Sequence, residues 1–170
     1  MGLDLSLFFI SKNMNLHEVF PEDGGVNVPE ENDLCYGRKT WSIYYALRNF
    51  KHAFQSDVIY EVTESDWDFF IARIKRAFED CETDADKIHD ALEIYLSWEY
   101  DPDAVDDYMP EEVRKAYDLI DDFCYNFSDE ATPQLGPAWE VSAIINWYNE
   151  DANVRKHFND YETVYMVASY

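Results

Sequence analysis

Glycine is scarce in this chain, with 5 glycines in 170 residues. Loops that cradle phosphates need several glycines at fixed spacing, because only glycine lets the backbone approach a phosphate so closely. No such loop is present, and neither is the Gly-x-Ser-x-Gly turn of the serine hydrolases. The sequence therefore gives no support to a nucleotide-binding loop or to a hydrolase of that type.

Histidine and cysteine are also few, with 4 and 3 residues, and neither forms a recognisable motif. The histidines are dispersed and none belongs to a His-Glu-x-x-His metal motif. Cys35, Cys81 and Cys124 are odd in number and lack a Cys-x-x-Cys pair, which predicts reduced, mostly buried thiols. We therefore predict no catalytic residue, no metal and no cofactor.

Long apolar runs are missing as well. No segment reaches the roughly 18 apolar residues that a membrane-spanning helix needs. The opening residues 1–13 have too short an apolar run for a signal peptide and no basic leader. These features predict a protein of the cytoplasm that does not contact a membrane.

Basic residues are outnumbered, with 13 Lys and Arg against 36 Asp and Glu and a net charge of -23. Residues 79–130 hold 19 acidic and 3 basic residues, which is 16 of the 23 net negative charges, whereas residues 38–76 contain 7 Lys and Arg. A small soluble domain needs a net charge of only about 2–8, and a surplus opposes compaction. A solvated or salt-adapted surface is one explanation, but it does not predict this localisation. A basic partner, in contrast, does predict that the acidic residues are concentrated in one segment.

The apolar composition predicts that the chain folds despite its charge. Hydrophobic residues make up 47% and aromatic residues 17% of the sequence, far from the composition of disordered proteins. The length favours a single domain over residues 1–170. Within it, residues 79–130 form a strongly acidic helical segment.

Alternating apolar residues predict three strands. Leu3, Leu5, Leu7 and Phe9 place a strand near residues 2–10, and the same period appears at 58–62 and at 161–170. Residues 12–37 contain prolines and glycines and are predicted to be irregular, with one short helix at 16–20. The two terminal strands and residues 58–62 should pair in a small, mostly antiparallel sheet.

Five longer helices are predicted between the strands, from apolar residues repeating at three and four positions. They begin near Thr40, at Thr63 or Ser65 with a capping box, at Thr83, at Pro110 and at Gly136. Their apolar stripes predict that Tyr95, Trp98 and Tyr117 are buried. The resulting fold class is α+β, a helix-dominated single domain with about five helices packed on a sheet that includes both chain ends.

The third and fourth of these helices and the loop between them present acidic residues outside their apolar stripes. Duplex DNA carries one charge per roughly 1.7 Å of axis, and carboxylates one helical turn apart recur about every 5.4 Å. Two acidic helices and a loop side by side would therefore approximate a phosphate array. We predict a partner-binding acidic surface made of Asp86, Asp90, Glu93, Asp101, Asp103, Asp106, Asp107, Glu111, Glu112, Asp118, Asp121 and Asp122.

Part of the acidic loop also follows the spacing of a calcium loop. Asp101, Asp103, Asp107 and Glu112 fall at positions 1, 3, 7 and 12. Position 6 is Asp106, where the sharp turn of such a loop requires glycine. An acidic loop between two helices is therefore the better interpretation, and an enzyme using these carboxylates with a divalent metal is a weaker alternative.

The aromatic excess supports another alternative. Trp139 and Trp147 flank the apolar stripe of the last helix, and Tyr36, Tyr44, Tyr100 and Tyr108 are candidates for exposure. Aromatic residues are enriched in the buried centres of protein interfaces. These residues are compatible with a structural or assembly protein that forms a homo-oligomer, such as a homodimer.

Three short segments, residues 1–5, 35–39 and 165–170, resemble a family of small bacteriophage proteins of unassigned function. Members of that family begin with a Met-Gly-Leu-Asp strand, carry a Tyr-Trp-Arg-Lys-like motif and end in a Tyr-x-Ala-Ser-Trp-like strand. Here Gly37 replaces the tryptophan of the motif and Tyr170 replaces the final one. The resemblance implies a phage origin and no particular activity.

A phage origin favours an anti-defence function, because phages use acidic mimics to occupy the DNA or RNA site of host enzymes. The leading hypothesis is thus a non-enzymatic inhibitor of a basic, nucleic-acid-binding host protein, such as a CRISPR effector, a restriction enzyme or a nuclease. Such an inhibitor would not bind nucleic acid itself, since both carry negative charge.

Overall fold

A computed structural model describes residues 4–21, 26–38, 40–48, 58–101, 103, 108–128 and 136–169. The described residues form four strands and seven α-helices, together with a 3-10 turn at Glu30–Asn32. In chain order these elements are β1 (Asp4–Ser11), α1 (Leu16–Val19), β2 (Asp33–Arg38), α2 (Trp41–Arg48), β3 (Val58–Glu61), α3 (Glu64–Asp80), α4 (Ala85–Glu99), α5 (Glu111–Phe127), α6 (Pro137–Asn149), α7 (Asp151–Arg155) and β4 (Glu162–Ser169).

The sheet has the strand order β2-β1-β4-β3, and every neighbouring pair is antiparallel. The first and last strands are therefore partners at the centre of the sheet, with Leu5 opposite Ala168 and Leu7 opposite Met166. Within the described part of the chain, strand β3 pairs only along the other edge of β4. The predicted α+β fold, with both chain ends in one antiparallel sheet, is confirmed.

The two faces of the sheet are covered differently, because side chains alternate along each strand. Leu5, Leu7 and Met166 are fully buried in the main core, which extends through the helices from α2 to α7. On the other face Phe8 and Ile10 pack with Val19 of α1 in a smaller apolar cluster. The helices that carry most of the acidic residues are therefore anchored on one side of the sheet only.

Local signals set the helix starts within one or two residues of the predicted positions. Thr63 and Asp66 form the capping box of α3, with the Thr63 N–H donating to the Asp66 carboxylate at 2.9 Å. Pro110 lies at the N-cap of α5, one position before its predicted place. Gly136 precedes α6 with φ +99°, a conformation that favours glycine.

Several predictions from the sequence were wrong. Residues 12–37 were predicted to be irregular, but residues 33–37 form most of β2, and α7 was not predicted. Tyr44, a candidate for exposure, is fully buried. The helix predicted from Thr40 begins at Trp41, and its predicted continuation beyond Arg48 lies outside the described residues, as do the predicted strand positions 2, 3 and 170.

The cysteines follow the prediction of mostly buried thiols. Cys35 and Cys124 are buried and Cys81 is half-buried, and none of the three is in a disulfide. Burial raises the pKa of the Cys124 thiol to about 12. These thiols are therefore protonated at neutral pH and behave as apolar core groups.

One carboxyl group is buried at the contact between α2 and α6. Glu140 is 2% exposed, and its Oε2 accepts a hydrogen bond from the Ser42 hydroxyl at 2.7 Å. The backbone N–H groups of Trp41 and Ser42, at the start of α2, also donate to this carboxyl. Burial raises the pKa of Glu140 to about 7, although these hydrogen bonds act in the opposite direction.

Replacing Glu140 by glutamine should remove a pH-dependent part of the stability. A raised native pKa means that the folded protein holds the proton more tightly than the unfolded chain does, so stability falls as pH rises from about 4.5 to about 7. From that pKa, the wild-type free energy of unfolding should lose roughly 3 kcal/mol in this window relative to E140Q. Denaturant titrations at closely spaced pH values measure this difference.

The matched control is Glu79→Gln, because Glu79 is exposed on α3. The E79Q curve should run parallel to the wild-type curve. A parallel E140Q curve would contradict the assignment to Glu140.

Candidate protein-binding surface

Helix α4 carries three of the predicted site residues on one exposed stripe. Its N-cap is Asp84, whose side chain accepts a hydrogen bond from the Lys87 N–H at 2.9 Å. The buried residues of the helix are Ile88, Ala91 and Leu92. Positions four and seven residues apart on a helix share a face, so the opposite, solvent-facing stripe consists of Asp86, Asp90 and Glu93.

Helix α5 carries five more of the predicted site residues, all of them exposed to solvent. Six residues, from Val113 to Phe127, are buried in the core. This apolar stripe fixes the rotation of the helix about its own axis. All five predicted carboxylates are exposed as a result, namely Glu111, Glu112, Asp118, Asp121 and Asp122.

The two acidic helices pack side by side and run antiparallel. Asn126, near the end of α5, donates to the Cys81 sulfur just before α4 at 3.3 Å. Farther along α4, the ring of Tyr95 lies 5.1 Å from the ring of Tyr117. The fold therefore places the two helices that carry the eight helical site residues next to each other, and we call these eight exposed residues the acidic surface.

The loop between the helices extends this surface in part. Asp101 and Asp103 are exposed, and the Asp103 N–H donates to the Asp101 carboxylate at 2.9 Å. Asp106 and Asp107 lie outside the described residues. No group of three or more potential metal ligands occurs within the described residues. Because Asp107, one of the residues at calcium-loop spacing, lies outside the described residues, a metal site in this loop stays the weaker alternative to a plain acidic loop.

Few of these carboxylates are neutralised by a neighbour. Lys115 pairs with Glu111 at 2.7 Å, and His89 lies 3.3 Å from Glu93. The structure describes eight other residues of the predicted acidic set, and none of them forms an ion pair with a described residue. The acidic surface is thus largely available to an external cation.

A shallow groove of about 610 Å³ runs between α4 and α5. Its apolar floor includes Ile94 and Leu119, and its rim includes Asp90 and Glu112. Lys87 and Lys115 also line the groove. The groove therefore offers both apolar contact and charge, although the two lysines reduce its net negative charge.

Reasoning from the sequence identified Tyr100 as a candidate for exposure but missed three other aromatic residues beside this surface. Tyr95, Trp98 and Tyr117 were predicted to be buried but are only partly covered. Tyr100 and Trp139 are exposed to 61% and 41%. The available signal was the position of Trp98 at the margin of the apolar stripe of α4, where a side chain borders solvent, whereas Tyr95 lies at the centre of that stripe.

Comparisons of the chain with protein-family models, with curated proteins and with solved structures give no match. Among the described residues, no helix combines the length and the apolar character needed to cross a bilayer. The geometry of the acidic surface is therefore the basis for assigning a function.

Two pairs of carboxylates on α5 should affect stability in opposite directions. Asp121 and Asp122 follow Asp118 by three and four residues, so D121N/D122N relieves repulsion and should stabilise by a few tenths of a kcal/mol. Glu111 and Glu112 lie in the first turn, where negative charge is favourable, and Glu111 pairs with Lys115. E111Q/E112Q should therefore destabilise by a similar amount.

Thermal and denaturant unfolding of the two variants measure this difference at equal net charge. Each variant is the control for the other, because both remove two negative charges from one helix. A gain of stability in both would mean that net charge alone, and not position on the helix, sets the effect.

Proposed function

We propose that this protein is a non-enzymatic inhibitor that places the acidic surface of α4 and α5 in the nucleic-acid groove of a basic host protein. The observation that supports the proposal is the exposure of every described site residue on two adjacent, antiparallel helices. The target class is a host defence protein that binds DNA or RNA, such as a CRISPR effector, a restriction enzyme or a nuclease. The resemblance to phage proteins favours this class of target.

The spacing of the carboxylates supports mimicry of a nucleic-acid strand. The five acidic residues between Glu111 and Asp122 span 11 residue steps, or about 16 Å of helix, so one occurs per roughly 3–4 Å. A single DNA strand carries one phosphate per about 3.4 Å. Arg114 and Lys115 lower the net density on α5, and the parallel stripe of α4 adds to it. The pair of helices would therefore carry negative charge at an average density close to that of one nucleic-acid strand.

The same charge explains how the inhibitor would act. A concentrated negative field accelerates encounter with a basic groove and repels nucleic acid. The protein would then compete with the nucleic acid for the groove without contacting it. It would inhibit by occupying the groove, without making or breaking a covalent bond.

Neutralising the carboxylates of α5 should abolish this competition. We expect the wild-type protein to displace a fluorescent duplex from at least one member of a panel containing a restriction enzyme, a CRISPR effector and a repair nuclease. The variant E111Q/E112Q/D118N/D121N/D122N should compete at least about tenfold less well, and wild-type competition should weaken steeply with salt. Fluorescence anisotropy measures the displacement.

A block of five acidic residues elsewhere is the control for net charge. Glu18, Glu30, Glu31, Asp33 and Glu61 are all exposed and lie outside α4 and α5. Their joint neutralisation should change competition far less. Equal losses from both blocks would indicate a diffuse charge effect, and no loss from the α5 block would refute the proposal.

A second candidate function is supported by exposed aromatic residues. Tyr36, Tyr100, Tyr108 and Trp139 all expose more than a third of their surface, as expected if they form an interface between copies of the chain. Sedimentation velocity over a wide concentration range should then detect a dimer that Trp139→Ser weakens. A monomer at the highest concentration would exclude this candidate.

A further inference from the structure

An aromatic cluster lies at the end of α4, next to the acidic surface. The ring of Tyr95 lies 6.2 Å from that of Trp98 and 5.1 Å from that of Tyr117. Tyr100 is close enough to Tyr95 to influence its ionisation, and its ring meets that of Trp139 edge-on at 6.3 Å. We call these five residues the aromatic patch.

The aromatic patch borders solvent over much of its area. Tyr100 and Trp139 are 61% and 41% exposed, and Tyr95, Trp98 and Tyr117 are partly covered. Exposure of this extent at Tyr100 and Trp139 is unusual for aromatic residues that serve only a core. These two rings, with the three partly covered rings beside them, are therefore better explained as a contact surface.

Three carboxylates surround the rings. The Tyr95 hydroxyl donates to the Glu99 carboxylate at 3.4 Å. Asp118 and Asp121 are close to Tyr117, and together with burial they raise the pKa of its hydroxyl. The C-terminal end of α4, which carries partial negative charge, points to the same place. Aromatic faces, carboxylates and a helix C-terminus all favour a cation.

We infer that the aromatic patch is the anchor site for an arginine side chain of the basic partner. Guanidinium stacks on aromatic faces and forms two parallel hydrogen bonds with a carboxylate, whereas the ammonium of lysine is more strongly hydrated and does neither as well. Glu99, which precedes Tyr100 in the chain, would accept those hydrogen bonds while Tyr100 and Trp139 supply the faces. This inference rests on the proposed function and adds the identity of the side chain that is recognised.

The carboxylates and the aromatic patch would have different roles in the interface. Carboxylates along α4 and α5 would attract any basic surface, since long-range charge does not distinguish arginine from lysine. Aromatic residues and arginine are the residues that most often dominate binding at interface centres. The aromatic patch would thus add selectivity to an otherwise general attraction.

Labelled octa-arginine, octa-lysine and octa-citrulline test the inference with the full-length protein. At about 0.15 M salt we expect octa-arginine to bind about three- to tenfold more tightly than octa-lysine, the range of an exposed to partly desolvated cation–π contact. Octa-citrulline, which lacks charge, should not bind. In Y100L/W139L the preference for arginine should fall to near parity while octa-lysine affinity is retained.

The control variant Y125L/Y161L removes two exposed tyrosines outside the patch, which are 79% and 80% exposed. It should keep the full preference for arginine. Absence of that preference in the wild type, or its survival in Y100L/W139L, would overturn the inference and leave the proposed function intact. Failure of both cationic peptides to bind in a salt-dependent way would instead contradict the proposed function itself.

Discussion

The burial of the apolar stripe of α5 is the interaction on which the rest of the acidic surface depends. Ile120, Phe123 and Phe127 are fully buried, and burial of one such side chain contributes about 1.5–3 kcal/mol. Repulsion between carboxylates one turn apart costs only a few tenths of a kcal/mol per pair. Three buried residues therefore outweigh many unfavourable pairs on the opposite face. The core holds the helix in one rotation, and that rotation decides which residues a partner would meet.

Carboxyl groups have opposite environments in two parts of the molecule, buried in one and exposed to water in the other. Glu140 is enclosed between α2 and α6, where it accepts hydrogen bonds from the start of α2 and resists ionisation. The acids of α4 and α5 remain in water, where charge costs little to maintain. The difference arises from position relative to the apolar stripe of each helix. Glu140 lies within the buried side of α6, whereas Asp118 and Asp122 lie opposite the buried side of α5.

The sequence predicted elements whose signals are local. Thr63 and Asp66 mark the start of α3 through their own hydrogen bonds, and the spacing of Ile88, Ala91 and Leu92 identifies the core side of α4. Strand β2 could not be found in this way, because residues 33–38 lack clear alternation and become a strand by pairing with β1. The exposed carboxylates of the site followed from helix periodicity. The aromatic patch did not, since the exposure of Tyr95 and Tyr117 depends on how closely α4 and α5 approach each other.

The position of β4 between β1 and β3 has a consequence for how the protein is made. Among the described residues, β3 pairs only with β4, and β1 has β4 as one of its two partners. A ribosome delivers β4 more than 140 residues after β1. Strand β1 can pair with β2 early, but its other edge and the paired edge of β3 lack a partner until residues 162–169 emerge. Contacts between such distant segments form slowly. Before β4 emerges, the helices α3 to α6 can already form, because the signals that start them are local. The nascent chain would therefore present its acidic helices before its sheet is closed.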